Sequence, residues 1–307
     1  SRTQFIGLDV GRSATKVCAL EGERRIALSF PTAVMHVPDA IIPNDVAALA
    51  KPDTVTVDGR ELWVGPTALA QQMQAEALGR RDEWVLEIEH FALLASAISR
   101  LRAAGLDYDP KKAVVTLGVP SRVAAQRLDL VVDLRKRAAD LLGDGSSKPI
   151  IQILPQPLGI IGAHTLTPEG TAKEGHDPDT ARFAVIEVGQ YTTDFSAVRD
   201  GGTVVGATIS TDGVELVARR AADDLAAKGL RLYPRDLSEI MLHTRVRRRG
   251  VDVELRPTLE RAVQELLIPK IASAAKAAFG AQLLEEADAV LVAGGGAYWV
   301  YDALLPA

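Results

Sequence analysis

The sequence predicts an α/β chain with two similar halves, and three observations lead to this fold class. An apolar strand, an acidic residue, a turn rich in Gly and Thr and a returning strand occur twice, at residues 5–20 and 183–199. Strand-like and helix-like segments alternate along the chain. The 307 residues, 47% hydrophobic and 24% charged, are enough for about two domains with buried cores.

The pattern of apolar residues and turn signals gives an expected order of elements. In the first half it predicts strands at 5–8, 16–20, 114–119 and 150–154 and helices over 66–104, 121–142 and 158–164, with Gly105 as a stop and Ser121 as an N-cap. In the second half it predicts strands at 183–187, 194–199, 203–209 and 289–293, a helix after Gly213 and a long helix over about 258–279.

The domain boundary is placed near the polar, Gly- and Pro-marked stretch 168–178, which we expect to be a flexible loop and a hinge region. The predicted domains are therefore residues 1–164 and 165–307. Each is expected to carry a peripheral subdomain, at about 31–65 in the first domain and about 215–260 in the second.

Composition excludes several classes of protein. The formal charge of −5 gives no global attraction to nucleic acid, although a local patch can still bind it. The single cysteine, Cys18, cannot form an internal disulfide and excludes Cys-rich zinc modules. No segment approaches the ~18 apolar residues of a membrane helix, and the first residues show no signal peptide. We therefore expect a cytoplasmic protein without direct membrane contact.

The first motif with chemical potential runs from Asp9 to Lys16. A Gly-rich turn between two strands lets backbone N–H groups approach phosphate oxygens, because Gly11 has no side chain in the way. A carboxylate at a strand end suits Mg²⁺, and Lys16 can neutralise a phosphate. The alternative is an ordinary hairpin with surface charges. The segment is not a P-loop, since the chain has no G-x-x-x-x-G-K-[ST].

The second motif repeats this design in the other half. Glu187 ends a strand, Gly189 opens the turn, and Thr192 offers a hydroxyl. Two such hairpins facing each other would hold the β- and γ-phosphates of a nucleotide. The alternative is a hairpin in which the hydroxyls satisfy the backbone of the turn.

Two further features complete the set. A Gly triplet, Gly294 to Gly296, follows a strand and opens a helix, which allows close backbone approach to a flat ligand. Tight strand–helix packing is the alternative. Gln156 lies between two prolines and can orient an attacking water, as glutamine does in some phosphoryl-transfer sites. A turn residue without a catalytic role is the alternative there.

Together and in this order, these motifs resemble those of the actin-like ATPase superfamily, and most of all those of the ParM/StbA-type plasmid-segregation proteins of bacteria and archaea. The resemblance rests on residues 9–16, 115–120, 155–159, 189–195 and 294–296. It implies an actin-like ATPase fold of two similar ribonuclease-H-like domains around a nucleotide cleft. It also implies binding of ATP (or GTP) with Mg²⁺, slow hydrolysis coupled to self-assembly into filaments, and a DNA-binding adaptor protein as partner.

The resemblance assigns roles residue by residue. Asp9 and Glu187 match the acidic positions near the metal, and Gln156 matches the water-positioning residue. The remaining matches are to nucleotide-binding positions: Gly11, Arg12, Ser13 and Lys16 in the first phosphate turn, Gly189, Gln190 and Thr192 in the second, and Gly294, Gly295 and Gly296 in the adenosine motif. Glu239 is a candidate for the adenine pocket, with a surface helix residue as the alternative.

This chain departs from the superfamily pattern at several of these positions. Glu187 replaces the usual Asp, so the carboxylate is one methylene longer. Gln190 stands where many relatives have a second Gly, and Arg12 stands where actin has a small hydroxyl residue. Relatives usually continue beyond the Gly triplet with a further strand or helix that returns to the first domain, so a truncated chain is one interpretation of the short C-terminus.

Other patterns favour structural interpretations. The four arginines among residues 245–249 predict a solvated turn, with an acidic neighbouring subunit or DNA as the alternative contact. The five histidines show no metal-ligand spacing. Two other functions on the same fold stay open, a small-molecule (sugar-type) kinase and a nucleotide-binding scaffold that does not polymerise. The segment after the strand 114–119 offers no Asp for a sugar pocket, which disfavours the kinase.

Overall fold

The structure is a computed structural model that describes residues 2–39, 44–71, 81–175, 177, 180–232 and 234–304. The chain divides into two compact units, Ser1–Gln156 (unit 1) and Pro157–Ala307 (unit 2). The division lies near the start of the helix that the sequence predicts at 158–164. Among the described residues, no helix is both long enough and apolar enough to cross a membrane.

In the described part of unit 1, a mixed five-stranded sheet has the order β3-β2-β1-β7-β8. Its strands are β1 (Gln4–Val10), β2 (Ala14–Glu21), β3 (Arg24–Pro31), β7 (Ala113–Val119) and β8 (Ile150–Pro155). The first three pair antiparallel, and β7 and β8 join in parallel. The main helices are α3 (Ile88–Ala103), α4 (Ser121–Gln126) and α5 (Leu128–Leu141).

A small sheet lies inside the predicted subdomain at 31–65. Its order is β4-β6-β5, with β4 (Val34–His36), β5 (Thr54–Val57) and β6 (Arg60–Val64). The accompanying helices are α1 (Asn44–Ala50) and α2 (Pro66–Gln71), with a 3₁₀ turn at Lys51–Asp53 between α1 and β5. Ala33, Ala50, Trp63 and Ala68 form its own small core.

In the described part of unit 2, the sheet repeats this plan with the order β11-β10-β9-β15, and β12 pairs with β10. Its strands are β9 (Arg182–Val188), β10 (Thr192–Arg199), β11 (Gly202–Thr203), β12 (Ile209–Asp212) and β15 (Ala289–Ala293). The helices are α6 (Gln156–Thr165, which starts at the last residue of unit 1), α7 (Glu215–Ala226), α8 (Pro234–His243), α9 (Arg256–Ala262), α10 (Ile268–Glu286) and α11 (Ala297–Leu304). A hairpin of β13 (Arg245–Arg248) and β14 (Val251–Glu254) completes the unit.

The predicted strands are confirmed except the one at 203–209, which was wrong. It breaks into β11, a 3₁₀ turn at Val205–Ala207 and β12. The long helix over about 258–279 is confirmed, because α9, a π-helical turn at Val263–Leu267 and α10 follow one another without a break. The π-helical turn inside it was not predicted. Pro269, at the start of α10, has no N–H to donate, so the hydrogen-bond register changes just before it.

Two predicted helices of unit 1 need correction. Within the predicted helix 66–104, residues 72–80 lie outside the described part, and Asp82–Leu86 is a 3₁₀ turn before α3. The stop at Gly105 is confirmed, since its φ of 92° suits glycine. The helix predicted over 121–142 breaks at Arg127, whose φ of −123° and ψ of 59° are not helical. Ser121 is its first helical residue, and Pro120 occupies the cap.

The two sheets differ in how their faces are buried. In unit 1 the even-numbered positions of β1 are buried against the core, whereas Phe5 on the other face is 54% exposed. Its counterpart in the repeated motif, Phe183 of β9, is 3% exposed, because Ile161 of α6 packs in the same apolar cluster. The β9 strand therefore has apolar packing on both faces.

His90 on α3 is a titratable residue inside the core of unit 1. Its ring is buried edge-on to Trp84 and Phe91, and Nδ1 has no hydrogen-bond partner. Burial lowers the pKa of His90 from 6.5 to about 3. The unfolded state therefore binds an extra proton below pH 6.5, so this contribution to stability is present above that pH and is lost as the pH falls toward 3, by up to about 1.4 kcal/mol per unit.

The free energy of unfolding of the wild type should decrease between pH 6.5 and 4.5. In His90→Leu we expect this decrease to be about 2–3 kcal/mol smaller. Urea denaturation at several pH values measures this difference. The exposed His36 provides the control, and His36→Leu should keep the wild-type pH dependence. An unchanged pH dependence in His90→Leu would show that His90 does not cause the acid sensitivity.

Candidate functional site

The first turn connects β1 to β2 in unit 1. Strand pairing sets Asp9 opposite Lys16 and ends at the pair Val10–Thr15, so residues 11–13 form the turn. A Cβ at Gly11 would lie 2.8 Å from the carbonyl oxygen of Ala14, so only glycine fits without a shift. Arg12 is half-buried and Ser13 is exposed in the same turn.

Three predicted site residues come together at this turn. The Asp9 carboxylate accepts a hydrogen bond from Gln156 Nε2 through Oδ1, at 2.8 Å. Its Oδ2 lies 3.3 Å from Lys16 Nζ. The side chains of Asp9 and Lys16 are 32% and 57% exposed, so this ion pair is open to solvent and to a ligand. Residues separated by almost half the chain therefore share one polar cluster.

Gly118 makes this cluster sterically feasible, and sequence reasoning missed its role. It lies on β7, directly beside Asp9 in the parallel register. A Cβ there would stand 3.2 Å from Gln156 Cγ and 3.8 Å from Asp9 Oδ1. The signal in the sequence is a glycine near the end of a buried strand, before Pro120.

The second turn connects β9 to β10 in unit 2. Glu187 pairs across the strands with Asp194, the position that Lys16 holds in the first motif. Gly189 N–H donates to Thr192 O at 2.8 Å and closes the turn. The Thr192 hydroxyl donates to Asp194 Oδ2 at 2.8 Å, and Ser210 is bonded to the other oxygen. The hydroxyl of Thr192 is thus held within unit 2.

The start of α7 packs directly on the second turn. Val214 N–H donates to Gly189 O at 3.1 Å, and Glu215 N–H donates to the carbonyl of half-buried Gln190 at 2.8 Å. A Cβ at Gly213 would stand 2.4 Å from Gly189 O. Gly213 is thus required for this contact, whereas the sequence showed it only as a helix entry.

The Gly triplet lies against the strand that leads to the second turn. Gly294 has φ 89°, and a Cβ there would lie 2.4 Å from Val188 O. Gly296 N–H donates to the same oxygen at 2.8 Å. Gly295 has open space at its Cβ position. The outer two glycines therefore serve strand–helix packing, and the middle one leaves room beside the backbone.

Glu239 is exposed on α8. The same helix contacts the element that follows the Gly triplet, because Trp299 Nε1 of α11 donates to Met241 O at 3.2 Å. The helix that carries Glu239 is thus joined to the one that starts after Gly296.

The arginine run forms the hairpin of β13 and β14. Arg249 (φ 50°) and Gly250 (φ 83°) make its tight turn. Arg245 lies opposite Glu254, and Arg247 lies opposite Asp252, so acidic residues pair across from two of the four arginines. Val246, on the other face, is buried in the core of unit 2.

The chemistry of the first cluster fits a magnesium ion that keeps most of its water. Mg²⁺ binds through one or two carboxylates, phosphate oxygens and water. The partly exposed Asp9 carboxylate has oxygen lone pairs beyond those used by Gln156 and Lys16. Among the residues that the structure describes, no group of three or more His, Cys, Asp or Glu side chains is arranged to hold a metal.

The chain is similar in sequence to one protein family and similar in fold to several known structures. The family model described as "Actin like proteins N terminal domain" matches residues 7–159, about half of the chain. No curated protein gives a match. An archaeal actin homolog, Ta0583, superposes with a TM-score of 0.69 at 21% identity, over 98% of this chain and 90% of that one.

Two ParM structures are similar in the same way. Apo pSK41 ParM gives a TM-score of 0.67 at 15% identity, over 99% of this chain and 89% of that one. A 15-stranded ParM filament from Clostridium botulinum gives 0.65 at 17% identity, over 99% and 92%.

The chain therefore has the actin-like fold of two domains, as the sequence predicted. It belongs to the actin-like ATPase superfamily and has the fold of the ParM proteins. Among the structures of similar fold are filaments and an ADP complex of Ta0583.

Proposed function

We propose that this protein binds ATP with Mg²⁺, hydrolyses it slowly and forms nucleotide-dependent filaments that segregate plasmid or other DNA through an adaptor protein. The observation that carries the proposal is the hydrogen bond from Gln156 to Asp9 at the first turn, 2.8 Å long. It joins a carboxylate suited to a hydrated cation to an amide suited to orienting water, beside a turn that only glycine fits.

Each residue of the first turn has a defined part in this proposal. The magnesium ion, when bound, neutralises charge on the phosphates. Asp9 holds the Gln156 amide so that Oε1 is the atom that can accept a hydrogen bond from water. Lys16 brings a positive charge next to the turn, and the backbone N–H groups of residues 11–13 can bind phosphate oxygens.

The second turn, in unit 2, is proposed to contribute to nucleotide binding as well. Its backbone is held by α7, and Thr192 is held by Asp194, so the turn is organised before a ligand arrives. Open space at Gly295 allows the base or ribose to approach the backbone closely. The ADP complex of Ta0583 supports a nucleotide as the ligand, and the ParM and Alp12 filaments support self-assembly.

Sedimentation and light scattering of the full-length protein test the proposal. Assembly should require Mg²⁺ with ATP or GTP, persist with a non-hydrolysable analogue and reverse as phosphate is released. Asp9→Ala should abolish it. Failure to assemble with any nucleotide, despite tight binding, would contradict filament formation and favour a nucleotide-binding scaffold instead.

A further inference from the structure

Thr32 follows β3 and bonds to the first turn from outside the motif. Its hydroxyl donates to Gly11 O at 2.6 Å, and its backbone N–H donates to Ser13 O at 2.9 Å. Its Oγ1 also lies 2.9 Å from Oγ1 of Thr15. Both ends of the turn are therefore attached to one residue.

The hydroxyl of Thr32 has a definite direction. A hydroxyl has one proton, and in Thr32 this proton goes to Gly11 O. In the bond between the two threonines, the Thr15 hydroxyl must then be the donor and Thr32 Oγ1 the acceptor. Thr15 is fully buried. A buried hydroxyl needs a partner, so loss of the Thr32 oxygen would leave that of Thr15 without this acceptor.

The next residue belongs to the small core of the peripheral sheet. Ala33 is buried with Ala50, Trp63 and Ala68, and its carbonyl accepts the Gly65 N–H at 2.8 Å. Gly65 follows β6 directly. One peptide bond therefore separates a residue bonded to the turn from a residue packed in the sheet β4-β6-β5.

We infer that Thr32 is a positioning residue that couples nucleotide binding at the first turn to the order of the peripheral sheet. This inference rests on the proposed function. A triphosphate that fixes residues 11–13 also fixes Thr32, and Ala33 moves with Thr32 because one peptide plane joins them. Coupling of this kind is reciprocal, so a looser peripheral sheet weakens nucleotide binding by the same factor.

Three variants test the coupling in the full-length protein. Thr32→Val keeps the shape and the backbone N–H but removes the hydroxyl, and Thr32→Ser restores the hydroxyl. Thr54→Val is the matched control, because the Thr54 hydroxyl bonds to Ala50 O at 2.8 Å within the peripheral region. The measurements are titration with Mg-ATP and hydrogen–deuterium exchange of residues 33–37 and 60–65, with and without Mg-ATP.

Mg-ATP should slow exchange in both segments of the wild type, of Thr32→Ser and of Thr54→Val. Thr32→Val should bind Mg-ATP about three- to ten-fold more weakly, and saturating nucleotide should no longer slow exchange in the two segments. A purely structural role would leave the effect of the nucleotide on exchange intact.

Three outcomes would overturn the inference, and they distinguish failure of the coupling from failure of the proposed function. Wild-type protein that binds Mg-ATP without slower exchange at 33–37 and 60–65, or a Thr32→Val variant that keeps the slowing, would overturn the coupling alone. Wild-type protein that binds no nucleotide would overturn the coupling together with the proposed function.

Discussion

Gln156→Ala is expected to lower the rate of ATP hydrolysis about 100-fold and to leave ATP affinity within a few-fold of the wild type. The Gln156 amide is fixed by Asp9, and its oxygen is the atom proposed to orient the attacking water. Removing it should affect the chemical step far more than binding, because the phosphate contacts are proposed to come from the turn backbone. Phosphate release under single-turnover conditions measures the rate.

Gln152→Ala is the matched control for this variant. Gln152 lies on β8, the strand that ends just before Gln156, and its Oε1 accepts a hydrogen bond from the Thr116 hydroxyl at 3.2 Å. We expect its hydrolysis rate to equal that of the wild type. If Gln156→Ala hydrolysed ATP at the control rate, Gln156 would have only the structural role of a turn residue.

Arg100→Leu is expected to lower the free energy of unfolding by about 3–5 kcal/mol. Arg100 is ion-paired with Asp53, whose side chain is 8% exposed, and it also donates to Ser96 Oγ at 3.1 Å. Thr67 donates to the second Asp53 oxygen through both its N–H and its hydroxyl, at 2.9 and 2.7 Å. Removing the guanidinium leaves a buried carboxylate without its counter-charge.

The exposed pair of Lys270 and Asp212 gives the control for this effect. Lys270 Nζ and Asp212 Oδ2 are 2.7 Å apart, and the two side chains are 46% and 50% exposed. Water screens such a pair, so Lys270→Leu should change stability by no more than about 1 kcal/mol. Urea denaturation compares the two variants. Equal losses would show that burial of Asp53 does not decide the cost.

Much of the fold could be predicted from local signals. The strands at both turns were visible because apolar runs end at an acidic residue and a glycine, as at Asp9–Gly11 and Glu187–Gly189. The repeat of this motif predicted two similar sheets, and the structure has one of them in each unit. These features depend on residues close together in the sequence, so they can be predicted from the sequence alone.

The missed features depend on contacts between distant residues. The π-helical turn inside the predicted helix over 258–279 was missed because apolar periodicity does not record the missing N–H of Pro269. The roles of Gly118 and Thr32 follow from strand register and from a bond across 21 residues, which no local pattern encodes. Gln156 was a candidate from its position between two prolines and from the resemblance, but its bond to Asp9 spans 147 residues and could not be predicted.

The central claim is the proposal that each of the two turns is needed for nucleotide binding. Equilibrium titration of the full-length protein with Mg-ATP, beside Gly11→Ala, Gly189→Ala and the control Gly159→Ala, tests it most directly. A Cβ at Gly11 or Gly189 would lie 2.8 or 2.9 Å from a backbone oxygen of its turn, whereas Gly159 has open space. We predict one ATP per chain, severely weakened binding in both turn variants and wild-type affinity in Gly159→Ala. Wild-type affinity in either turn variant, with its fold intact by circular dichroism, would contradict the claim.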